Sequence, residues 1–216
     1  MNVMDDRYAA IDADFLARFP GGFQDPDWQT LARRHKNYAK AEALCQSELA
    51  RDKLDAALAS GKLADATHAC RQIVSLATTV STFEKIAFRN YMDNRDLNLP
   101  FIQALRDVLH DFSPDSFAAY VDTLAMARMD PKANAAKWPI VSCFLACFDP
   151  QLHVCVKPTT VKKVAARLGV DIHYQAKPNY ECYQAVQRMV LDFRNRSMVA
   201  ADVDNTLAQA VMYCAV

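Results

Sequence analysis

Glycine is scarce in this chain: there are four in 216 residues. That scarcity disfavours a turn-rich β architecture, and the abundant alanine favours helix. Net charge is lacking as well, because 25 Lys and Arg balance 25 Asp and Glu, so no global field draws the chain toward nucleic acid or a membrane surface. No apolar run approaches the roughly 18 to 20 residues that span a bilayer, and no membrane partner is expected. The opening residues, Met1 to Arg7, contain no apolar signal core, and the seven cysteines are an odd number. A reduced, cytoplasmic protein with free thiols is the expectation. Internal repeats and low-complexity tracts are missing too.

What is present is an uneven distribution of charge. Met1 to Thr30 holds six Asp against two Arg, whereas Lys137 to Ala200 holds nine Lys and Arg against four acids. An anionic partner is therefore expected at the second region. A hydrophobic content of 52% supplies a substantial core. The run from Asp130 to Ala136 is the best candidate boundary, separating a helical N-terminal region, 1–130, from a motif-bearing basic C-terminal region, 137–216. One compact body can hold both.

In the N-terminal region the stretch Trp28 to Ser60 has no proline or glycine and reads as helix, ended by Gly61 in the left-handed position. A second helix follows through Val80, making an antiparallel hairpin. Ser81-Thr82-Phe83-Glu84 fits a capping box. Pro100 opens a further helix, and Ser113-Pro114 caps another. The C-terminal region is less regular. Ile140 to Phe148 is a short apolar helix or strand, which periodicity does not decide. Leu152 to Val156 alternates as a strand does before Lys157-Pro158. Thr159 or Thr160 caps a helix from Val161 to Leu168, closed by Gly169, and Val170 to Tyr174 alternates again. Asn179 to Arg196 is a long helix, and Asp202 or Asp204 caps a last turn. The fold expected is mainly α: a multi-helix, bundle-like array with a small two-stranded β patch in the C-terminal half.

Three kinds of chemistry are written into residues 137–183. The first is an anion site at the start of the Val161 helix, where free amides and the helix dipole favour negative charge. Lys157, Lys162, Lys163 and Arg167 add cations there, and the hydroxyls of Thr159 and Thr160 add donors. The second is a helix-turn-helix, for which Val164 to Val170 has the right small-residue, leucine and glycine spacing; against it, no second helical pattern follows at once. The third is a zinc site from Cys143, Cys147, His153 and Cys155, although these cysteines sit in apolar sequence that suits core packing better. The expectation is accordingly no metal and no cofactor. Trp138, beside Pro139, with His153 and His173, forms a candidate groove. His35, His68 and His110 fall in helical stretches and read as surface or satisfied core residues. No catalytic residue is assigned, because no nucleophile turn accompanies the Cys and His pair.

The order Lys137-Trp138-Pro139, Phe148-Asp149-Pro150, His153 and Val156-Lys157-Pro158-Thr159 resembles a family of uncharacterised bacterial proteins. The resemblance covers residues 137–216, continuing through Ala165 to Gly169, Ile172 to Tyr174, Tyr180 and Tyr183; Asp202 to Val216 follows it loosely. It implies a mostly α-helical fold and these segment boundaries, and no activity. Taken together, the expectation is a non-enzymatic binding protein whose basic C-terminal region contacts a phosphate-bearing partner, nucleic acid first. The alternatives are a protein–protein interaction module of a bacterial system, with an exposed apolar patch near Trp138, and a small metal-dependent or Cys/His enzyme.

Overall fold

A computed structural model describes residues 3–32, 36–127, 129–130 and 132–216. In chain order the helices are α1 Val3–Arg18, α2 Pro26–Ala32, α3 Lys36–Glu48, α4 Arg51–Ser60, α5 Ala64–Leu76 and α6 Thr82–Asp93. They continue with α7 Asn98–His110, α8 Pro114–Leu124, α9 Trp138–Phe148, α10 Pro158–Leu168, α11 Tyr180–Arg196 and α12 Asn205–Cys214.

Several of these ends follow directly from local chemistry. Ser81 Oγ accepts from the Glu84 amide at 3.4 Å, and the Glu84 carboxylate accepts from the Ser81 amide at 2.8 Å, so α6 opens on the full capping box. Ser81→Ala is expected to cost about 1 kcal/mol, read as a lower urea midpoint; an unmoved midpoint would remove the box from the account. Ser113 caps α8 with Pro114 at its first position. Asn179 caps α11, and Asp204 caps α12. Gly169 closes α10 at φ +71°, where a side chain would be strained.

The stretch read as one helix from Trp28 to Ser60 is instead broken. α3 stops at Glu48, and α4 restarts after Ala50, whose backbone is at φ −59°, ψ 147°. No proline or glycine marks this break. Tertiary contacts support it: Leu49 is fully buried, and Arg51 reaches the His110 carbonyl and both oxygens of Asp111. His35 lies outside the described residues.

α9 resolves the helix-or-strand ambiguity of Ile140 to Phe148. Every residue from Trp138 to Cys147 is buried, as expected of a helix apolar on all sides. It packs against α3, α5, α6 and α7, and Phe144 meets Phe88 and Phe101 at ring distances of 5.8 and 6.1 Å. Buried residues from both sides of the 130–136 run belong to one core cluster. On the other side α1 packs against α10, α11 and α12. There the buried carboxylate of Asp12 accepts from Ser197 Oγ at 2.6 Å and from the Met198 amide at 2.7 Å.

The β patch does not exist: the described residues contain no strand. Residues 151–157 form a strap, neither helix nor strand, with His153 to Val156 buried. Buried backbone groups need partners, and here side chains supply them. The amides of Val154, Cys155 and Val156 donate to Tyr183 Oη (3.3 Å), Gln209 Oε1 (2.9 Å) and Ser142 Oγ (2.8 Å). The carbonyls of Leu152, His153 and Cys155 accept from Gln187 (2.6 Å), Asn205 (3.3 Å) and Gln209 (2.7 Å). Helices α9, α11 and α12 thus stand where neighbouring strands were expected. The second alternating run fails for a local reason. Asp171 accepts from the His173 amide at 2.7 Å, and His173 takes φ +47°, a left-handed backbone that no strand contains.

Candidate functional site

The start of α10 is built on Lys157, which occupies the cap position with no side-chain cap bond. Neither threonine caps the helix, because Pro158 takes its first position and moves the cap back to Lys157. Proline has no amide to offer, and the amides of Thr160 and Val161 bond the Lys157 carbonyl at 3.0 and 2.9 Å. Of the four usual orphan donors at a helix start, this leaves those of Lys157 and Thr159. The tip is cationic mainly through its amines.

Lys157, Lys162 and Lys163 are exposed, as is Thr159, with Thr160 half-buried. None of the ion pairs among the described residues uses these three lysines. Lys162 Nζ lies 4.7 Å from the centre of the Tyr174 ring, a cation–π contact. Arg167 is different. Its guanidinium bonds the Asp14 carboxylate and the Ala10 and Ala215 carbonyls, so it ties α10 to α1 and the end of α12. It is committed to the fold and leaves the cationic set.

The proposed groove of Trp138, His153 and His173 is not assembled. Trp138 is buried, and its Nε1 donates to the Gln175 carbonyl at 2.8 Å. His153 is 2% exposed. Its Nδ1 lies 3.1 Å from Tyr183 Oη, and its ring meets Phe112 edge-on at 4.7 Å. Burial pushes its pKa down to about 4, against a weaker upward pull from Asp149. His173 alone is at the surface, 3.3 Å from the Asp171 carboxylate. The apolar patch expected near Trp138 therefore has no anchor.

The zinc quartet is not brought together either. Among the described residues no three His, Cys, Asp or Glu side chains converge as metal ligands would. Cys143, Cys147 and Cys155 are buried and free. Burial pushes the Cys155 thiol up to about 11 and raises Cys143 and Cys147 further, which keeps them protonated and weakly nucleophilic near neutral pH. A helix-turn-helix is absent from this place, since residues 170–179 after α10 contain no helix.

Sequence reading passed over a second basic surface, on α5 and α6. His68, Arg71, Lys85 and Arg89 line one cleft there. The available signal was basic side chains at helical spacing on two consecutive helices. It was masked because each helix, taken singly, reads as an ordinary solvated face.

No known protein family, no curated protein and no solved structure matches this chain. Among the described residues no helix is long and apolar enough to cross a membrane.

Proposed function

We propose that this is a non-enzymatic binding protein that holds a phosphate-bearing partner, nucleic acid first, on Lys157, Lys162, Lys163 and Thr159 at the start of α10. One observation carries the reading: three exposed ammonium groups lie within seven residues, and none has a carboxylate partner among the described residues. Elsewhere in the molecule Arg51, Arg106 and Arg167 are bound to carboxylates. Unpaired amines lose little on meeting a phosphate, whereas paired ones must first break a bond. Tyr174, already under Lys162, adds an aromatic face beside the cations, the combination that single-stranded nucleic acid uses for stacking and charge.

The test is binding of a labelled single-stranded oligonucleotide across a salt series. Wild type is expected to weaken steadily with salt as counterions are released. The Lys157→Glu, Lys163→Glu variant is expected to bind at least about tenfold more weakly, with a slope of log affinity on log salt smaller by about 1.4. Equal affinity and slope for the two proteins would overturn the reading.

A further inference from the structure

Helices α5 and α6 are consecutive and packed together, and between them lies a cleft of 380 Å³. Positions 68, 71, 72 and 75 of α5 line it, as do 82, 85, 86 and 89 of α6. Each set has the three- and four-residue spacing of a single helix face. Val74, Ile86 and Phe88 supply apolar wall, while Arg71, Lys85 and Arg89 supply cations and His68 an imidazole ring. No acid lines this cleft. Past His68 and Arg71 it meets a second hollow of 990 Å³, where Lys62 and Arg95 face Asp65 and Asp93.

The cations of this surface are unequally committed. Arg71 Nη1 lies 2.8 Å from Asp93, and Lys85 Nζ donates to the Ser75 carbonyl at 2.6 Å. Arg89, Lys62 and Arg95 take part in no ion pair among the described residues.

We propose that the α5–α6 cleft is a binding site for a small amphipathic anion. Its apolar body lies on Val74, Ile86 and Phe88, and its carboxylate, sulfonate or phosphate group sits between Arg89, Arg71 and His68. A bare inorganic ion would leave the apolar wall unused, and a neutral hydrocarbon would bury guanidinium groups without an anion to bond. The volume falls in the range of about 300 to 1,000 Å³ usual for small-ligand sites. This site is separate in residues from the α10 tip and does not depend on it.

The probe is 8-anilinonaphthalene-1-sulfonate, an aromatic body with one sulfonate, followed by fluorescence titration of the full chain. Arg89→Ala and Ile86→Ser alter side chains at the surface, Ile86 being 40% exposed, so both variants are expected to fold. Each should raise the Kd about tenfold by removing a charged bond or apolar contact. The uncharged counterpart, N-phenyl-1-naphthylamine, should bind about tenfold more weakly than the sulfonate. The Lys157→Glu, Lys163→Glu variant should titrate as wild type. Unchanged binding by Arg89→Ala and Ile86→Ser overturns the proposal. Equal binding of the neutral dye, or loss of sulfonate binding in the α10 variant, overturns it too.

Discussion

Lowering the pH from 7 to 4 is expected to remove about 3 kcal/mol of folding stability through His153 alone. In the folded protein burial holds this imidazole neutral, with a pKa near 4 in place of 6.5. The unfolded chain therefore takes up a proton at a higher pH than the folded chain does. Above about pH 6.5 neither state binds the proton, and the stability is whole. Between 6.5 and 4 the unfolded state is progressively favoured, and below 4 the full loss has been incurred. Tyr183 Oη lies at Nδ1, Phe112 covers the ring, and only Asp149 pulls the other way. Urea unfolding of wild type and His153→Gln at pH 7, 5.5 and 4 separates this residue from the acid sensitivity of the surface carboxylates. The wild-type stability should fall more steeply than that of the variant, by about 3 kcal/mol over the range. Parallel curves would show that His153 is not the titrating group.

Replacing Gln209 with leucine is expected to cost about 2 to 4 kcal/mol. Gln209 is buried, and its one amide group serves both sides of Cys155: Oε1 accepts from the amide at 2.9 Å, and Nε2 donates to the carbonyl at 2.7 Å. Leucine has similar bulk and leaves the Cys155 amide buried with nothing to bond. The Cys155 carbonyl keeps a weaker bond from Tyr213 Oη at 3.3 Å, which holds the loss below that of two orphaned groups. Chemical denaturation gives the value directly; a loss under 1 kcal/mol would mean that the strap finds other partners. The same variant should leave oligonucleotide and dye binding unchanged once folded, since Gln209 lines neither surface.

Much of the helical framework was legible because its signals are local. The Ser81 and Glu84 pair, Ser113 before Pro114, Gly61 and Gly169 each act within a turn of their own position, and the structure has all four in those roles. The break at Leu49 and Ala50 was not legible. Its cause is Arg51 bonding a helix end some 60 residues away, and no periodicity carries that. The strap was misread for a related reason. Alternating apolar residues report that a segment is buried, not what bonds its backbone. Gln187, Asn205 and Gln209 looked like ordinary polar helix residues, and their partners could not be inferred from spacing. At the candidate site, the cationic character of residues 157–163 was readable from composition. The loss of Arg167 to Asp14, 153 residues earlier, was not.

A backbone segment bonded by side chains from several helices also has a consequence for how the chain reaches its native state. Helices can form early from local bonds, and Leu152 and His153 bond back to the Asp149 carbonyl, but the amides of Val154, Cys155 and Val156 bond side chains brought from elsewhere in the chain. Their partners lie on three helices and up to 54 residues distant. Withdrawing those peptide groups from water before the partners arrive is costly, so the strap is sealed late, and non-local closure slows folding relative to a simple bundle. Until then Val154, Cys155 and Val156 stay open to solvent, and that interval is when the nascent protein is most exposed to self-association and to chaperone capture.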